Sequence, residues 1–173
     1  MQPQTQSNEP TPKIVRRADV TGVVRVAGID RAGADRFVTA IATLAGASAH
    51  GPIEIADAYD ERTARVNLTV TGSLSAVLRL LNGKSPSGER LVEEQADTSL
   101  VASVDNLGAE KAVAINDHLL NAAKNHPPGD PPLDVRTEHD EPRRILRVRL
   151  SGSLFATSYL LFLVNLHLTQ SRT

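Results

Sequence analysis

The sequence predicts an α+β protein made of two tandem ferredoxin-like units. Each unit runs β-α-β-β-α-β, with an antiparallel sheet and both helices on one face. Three observations carry that prediction. First, residues 51–81, GPIEIADAYDERTARVNLTVTGSLSAVLRLL, lie without a gap on residues 131–161 after a shift of 80. Identical pairs include Asp60/Asp140, Glu61/Glu141, Gly72/Gly152, Ser73/Ser153 and Leu74/Leu154, and apolar residues pair with apolar ones at Val66/Leu146, Leu68/Val148 and Val70/Leu150. Second, residues 29–36 match residues 104–111 at a shift of 75, which leaves five extra residues in the second copy around 125–130. Third, the apolar period alternates between two and 3.6 in the same order in both copies.

The elements follow in order. Residues 22–29, rich in valine, read as a strand, and Asp30 is placed to cap the helix that Phe37, Val38, Ile41 and Leu44 outline over 34–45. Residues 52–56 begin a second strand, 57–62 form a polar hairpin loop, and Val66, Leu68 and Val70 alternate with polar residues along a third strand. Ser73 is a candidate N-cap for a helix whose stripe is Leu74, Val77, Leu78 and Leu81. Residues 82–88 are a loop, and 90–96 are expected to make a fourth, edge-like strand carrying Glu93 and Glu94. The second copy repeats this: strand 99–104, helix 109–124, strands 133–136 and 145–150, a helix from Leu154, and a last strand over 164–168. The units accordingly span 20–96 and 97–173, after a polar, proline-bearing tail at 1–19 expected to be disordered.

Composition narrows the function. A formal charge of −1 gives no general electrostatic attraction to nucleic acid or acidic membranes, and three Phe with two Tyr are too few for base-stacking platforms. The absence of cysteine excludes disulfides, thiolate metal sites and thiol nucleophiles. The tail lacks the apolar core of a secretory signal, and no run reaches the ~20 apolar residues of a membrane span, so a cytoplasmic protein is expected.

The most pointed chemistry lies in the turn after the first strand of each unit: Asp30, Arg31, Ala32 and Gly33, and Asp105, Asn106, Leu107 and Gly108. A helix N-terminus presents backbone N–H groups and the positive end of the helix dipole, and glycine admits a ligand close to the backbone. Such turns could hold the carboxylate of a small metabolite; equally, Asp serves as a helix cap and Gly solves a backbone angle. The acidic hairpin loops (Asp57, Asp60, Glu61 and Glu138, Asp140, Glu141) read as solvated turns before they read as cation sites. His50, His118, His126, His139 and His167 show no repeated ligand spacing, and Ser73 and Ser153 lack the glycines of a nucleophile elbow. No metal, cofactor or catalytic residue is assigned.

A valine-rich strand running into Asp-Arg-x-Gly, an amphipathic helix, and a hairpin whose second strand reads Val-Asn-Leu-Thr-Val resembles an ACT domain, over nearly everything after residue 20. Ala32 stands where the family usually has proline, and the second copy keeps only Asp105 and Gly108 of the motif. The resemblance implies a tandem, ACT-repeat-like regulatory protein: non-catalytic, binding an amino-acid-like effector between units at the two turns, with sheets that pair within the chain or across a homodimer. The Gly-Ser-Leu turn and Leu-rich helix are also similar to the ferredoxin-like domains of type II secretion and type IV pilus assembly scaffolds. That likeness implies a structural interaction module offering a sheet edge or the apolar C-terminal segment to a protein partner.

Overall fold

In a computed structural model, which describes residues 17–170, ten elements alternate in the order the repeat demands. They are β1 (Ala18–Ala27), α1 (Arg31–Gly46), β2 (Ile53–Asp60), β3 (Arg65–Ser73), α2 (Leu74–Leu81), β4 (Asp97–Val104), α3 (Ala109–Lys124), β5 (Asp134–Asp140), β6 (Ile145–Ser153) and α4 (Leu154–Thr169). All six strands join one antiparallel sheet in the order β2-β3-β1-β4-β6-β5. Alternate residues of the central strands (Val20 and Val24, Val66 to Val70, Leu100 to Val104, Leu146 to Leu150) turn inward beneath the four helices. They merge with Ile41, Leu81, Ile115, Leu119, Leu160 and Leu161 into a single apolar core. The expected fold class holds, and the two halves pair their sheets inside one chain.

The two expected fourth strands do not form. Residues 90–96 make only an isolated bridge, Lys84 with Arg90, and their carbonyls serve α4 instead: Leu154 N–H donates to Ala96 O and Phe155 N–H to Glu94 O. Residues 164–168 continue α4, because Leu160, Leu161, Leu163, Val164 and Leu168 are spaced for a helix as well as for a strand. Topology supplies the deeper reason. The edge of β1 that a fourth strand would fill is taken by β4, and β1 fills the same place for the second unit. Each ferredoxin-like unit is thus completed by the other's first strand, which leaves no exposed N–H and C=O row at the middle of the sheet.

Strand pairing also corrects the upstream alignment. Val26 and Val24 oppose Val66 and Leu68, while Val104 and Ala102 oppose Leu146 and Val148, so β1 maps onto β4 with a shift of 78, not 75. The helices agree: buried Ala34 and Ile41 correspond to buried Ala112 and Leu119, and the C-caps Ala47 and Asn125 coincide. The second copy is two residues longer between helix and strand, not five. At the same shift, Gly22 and Leu100 are both equivalents and direct cross-strand partners, so the pseudo-two-fold axis passes between them. A side chain at Gly22 would collide with the end of Leu100, which fills the axis alone.

β1 begins at Ala18, earlier than expected; the rest of the expected tail, residues 1–16, lies outside the described residues. Among the described residues no helix is long and apolar enough to cross a membrane.

Candidate functional site

The corrected shift redraws the two turns. Asp30 corresponds to Gly108, and Asp105, Asn106 and Leu107 correspond to Ala27, Gly28 and Ile29. Backbone angles confirm the pairing, since Gly28 (φ 70°) and Asn106 (φ 57°) both occupy the left-handed region that glycine and asparagine tolerate best. The Asp-x-x-Gly likeness of the two copies is therefore displaced by three residues and is not a structural equivalence.

Around that shared backbone the two units build the same clasp. The N–H of Ile29 donates to Ala64 O at 3.2 Å, and that of Leu107 to Arg144 O at 2.8 Å. Ala64 and Arg144 sit at matching hairpin positions, both with positive φ. The Tyr59 hydroxyl donates to Ile29 O at 2.9 Å, and His139 Nε2–H to Leu107 O at 3.1 Å, which assigns the tautomer because a carbonyl only accepts. Each β–α turn is thus fixed to the hairpin of its own unit. The hairpins are closed by their aspartates: Asp60 accepts from Arg62 N–H and the Thr63 hydroxyl, and Asp140 from Arg143 N–H. Thr63 donation is the main reason the Asp60 carboxyl lies below its ordinary range. These carboxylates serve local turns, as solvated loops do.

The turns differ at the helix N-cap. In the first unit Asp30 Oδ1 accepts from Gly33 N–H at 2.6 Å, and Asp30 O from Ala34 N–H at 2.8 Å. Gly33 leaves room for the cap, since an added Cβ would stand 2.8 Å from Asp30 Oδ1 and 3.0 Å from Ile29 Cγ1 and those side chains would have to shift. Arg31 and Ala32 are exposed; the Arg31 guanidinium lies 5.5 Å over the Tyr59 ring and 3.5 Å from Asp35. In the second unit the N-cap is Gly108, with ordinary extended angles and no side chain to cap α3. An added Cβ there would meet only an Arg144 guanidinium nitrogen, at 3.9 Å. Leu107 is wholly buried and belongs to the core, and Asp105 ties its backbone N–H to Arg17 O at 2.8 Å.

The eight residues do not converge. β1 and β4 run antiparallel, with Ala18 opposite Val104 and Arg25 opposite Asp97, so the two turns lie at opposite ends of the sheet. At roughly 3.4 Å per residue, more than ~25 Å of strand separates them. One effector cannot touch both turns of one chain. What the arrangement can do is accept an anion at one helix end, α3, where backbone N–H groups and the dipole meet a nearby guanidinium.

Elsewhere Ser73 and Ser153 cap α2 and α4 by accepting from Ala76 and Ala156 N–H. Among the described residues no group of three or more His, Asp or Glu is placed to hold a metal ion. His118 Nδ1 and His167 Nε2 hydrogen-bond at 2.7 Å between α3 and α4, and burial, followed by His118 and Lys111, lowers the His167 pKa. In the sequence His139 was weighed only among the histidines without repeated ligand spacing, and none of the clasp residues Tyr59, His139, Ala64 and Arg144 was tied to the turns. Their signal was available, because each pair matches at the shift of 80, but only contact with the turn gives it meaning.

No family model matches the chain, and no curated protein sequence matches it. Among solved structures the chain is similar to the regulatory subunit of aspartate kinase from Thermus flavus, with 13% identity over 89% of this chain and 95% of that one and a TM-score of 0.30.

Proposed function

We propose that this is a non-catalytic regulatory protein that responds to a small carboxylate-bearing metabolite of amino-acid size, bound at the N-terminus of α3. One observation supports this reading. Two equivalent helix starts share the same clasp, yet the first holds its own carboxylate, Asp30, where the second has Gly108 with open space and Arg144 beside it. A ligand carboxylate at Gly108 would do for α3 what Asp30 does for α1. Because Leu107 and Arg144 are joined through the backbone, such a ligand would tighten helix, turn and hairpin together, and ordering of that kind shifts how the halves pack. The first unit then acts as the structural half and the second as the responsive one.

Thermal shift against a panel of amino acids and nucleotides tests the proposal. A true effector raises Tm in proportion to the logarithm of its concentration. Gly108→Asp, which supplies the carboxylate in cis, should abolish that response, while Gly33→Val should spare it in proportion to the protein that remains folded. A panel silent at millimolar concentrations overturns the reading. It would leave the structural interaction module, which the exposed apolar face of α4 favours.

A further inference from the structure

The internal repeat provides a control written into the chain: where the two units differ at the same structural position, the difference is not dictated by the fold. At the shift of 78, His118 on α3 stands where the first unit has Ala40, and α4 has sixteen residues where α2 has eight. The extra half of α4 carries His167. Its Nε2 lies 2.7 Å from His118 Nδ1, with ring centroids 5.0 Å apart and planes at 77°, so the rings meet nitrogen to nitrogen. The two helices run antiparallel: His126, just past α3, lies against Phe155 at the start of α4, and the histidine pair joins the end of α4 to the middle of α3. The start of α4 is fastened by Leu154 and Phe155 N–H groups donating to Ala96 O and Glu94 O. Leu160, Leu161, Leu163 and Val164 are buried, whereas residues 165–168 are only half-buried and Thr169 is exposed. The end of α4 is thus the part with least burial to hold it.

We infer that His118 and His167 form an acid-opened latch, which ties the last turn of α4 to α3 and releases it when both rings carry a second proton. An N–H···N bond needs one ring nitrogen that donates and one that accepts. A single added proton leaves it in place, since a protonated His still donates to a neutral one. The next proton makes both nitrogens donors and sets two cations against each other. The pair therefore titrates as a unit in two steps, and only the second breaks the tie. The surroundings favour release. The sixteen residues of α4 contain no Asp, Glu, Lys or Arg, and β4 and β6 turn apolar residues toward the helices. Arg79 on α2 is exposed, as are Glu110, Asp117 and Lys124 on α3, and on β5, behind α3, His139 is bonded to Leu107 O. The charges that act on His167 are those of His118 and Lys111; with burial first, they hold its pKa below the usual value. The latch is closed above the range in which free rings titrate, and is lost as pH falls through the second step. This inference is independent of effector binding at α3.

Amide hydrogen exchange of the full chain, followed by NMR from about pH 7.5 to about pH 4.5, tests it. Protection factors of residues 166–169 should fall by about 10-fold, as for the loss of one hydrogen bond, while those of residues 66–70 in β3 stay level. His118→Ala, which installs the first unit's residue at an exposed position, should give the low value at every pH. The His167 ring signals should then titrate closer to their usual range. Flat protection in the wild type would mean that the rings part without moving the helix, and overturns the inference. So does a pH-dependent loss of equal size in His118→Ala, or a loss that residues 66–70 share, which is unfolding of the whole. His167→Ala should behave as His118→Ala does, so either variant decides if the other fails to fold.

Discussion

Gly108→Asp should stabilise the protein, an outcome opposite to that of most substitutions. Gly108 has φ −73° and ψ 158°, angles any residue adopts, and the nearest atom to an added Cβ is an Arg144 nitrogen at 3.9 Å. No strain or overlap opposes the change. Three gains add. Removing a glycine from the unfolded ensemble contributes about 0.4–1 kcal/mol where the native angles are compatible. A carboxylate at the start of α3 gains about 0.3–1 kcal/mol from the helix dipole. Asp is better than Gly at an N-cap by a few tenths of a kcal/mol. The total is about 1–2 kcal/mol, and for a chain of this size each kcal/mol moves Tm by about 2–4 °C. Differential scanning calorimetry at pH 7 and low salt should therefore show a rise of several degrees, partly lost in high salt because the charge terms are screened. The converse change, Asp30→Gly, removes the bond to Gly33 N–H and should lower Tm. If Gly108→Asp is neutral or destabilising, Gly108 is not the counterpart of Asp30, and both the redrawn alignment and the effector site lose their basis.

Three further outcomes follow from other parts of the molecule. Gly22→Leu alone should cost about 1–3 kcal/mol by overfilling the two-fold axis, and Leu100→Gly alone more, but the swapped double variant should melt above either single one because the two positions are equivalent. Chemical denaturation of the four proteins would show it; strictly additive losses would refute the symmetry. Thr98 and Thr157, buried and hydrogen-bonded to each other at 2.6 Å, stand where the first unit has Val20 and Val77, so Thr98→Val/Thr157→Val should lie within about 1 kcal/mol of the wild type. A loss above ~3 kcal/mol would mean that the hydroxyl pair is worth far more than its Val counterpart. His167, whose pKa is lowered below 6.5 chiefly by burial and then by His118 and Lys111, binds a proton more readily unfolded than folded. Its contribution is full above the unfolded value and is lost as pH falls through the folded one. Tm should drop between pH 7.5 and 5.5 more steeply in the wild type than in His167→Gln, and parallel curves would contradict the assignment.

The duplication, the hairpins and the four helices were legible because they rest on local signals, alternation along Val66 to Val70 and Leu146 to Leu150 and Ser73 and Ser153 before Leu-rich stripes, although the loop expected over 57–62 was too long, because β2 stays paired with β3 through Asp60. The helix cap at Asp30 was equally plain. The site was legible only in part. Matching Asp30 to Asp105 followed residue identity, but Asp105 lies in the counterpart of Ala27, and the true partner of Asp30 is a glycine that carries no chemistry of its own to notice. The two turns also proved to sit at opposite ends of the sheet, a consequence of antiparallel pairing between β1 and β4 that local patterns do not encode.

By itself the chain determined which residues are apolar, how often they recur, and that the recurrence happens twice. Only the folded whole decided which strand closes which unit, why residues 90–96 and 164–168 are not strands, and which helix face is left open to solvent. The physical reason is that periodicity reports how one segment meets its immediate surroundings. Edge closure, register and symmetry depend on a partner some 78 residues away, whose backbone must be in place before the donors and acceptors of either strand are satisfied.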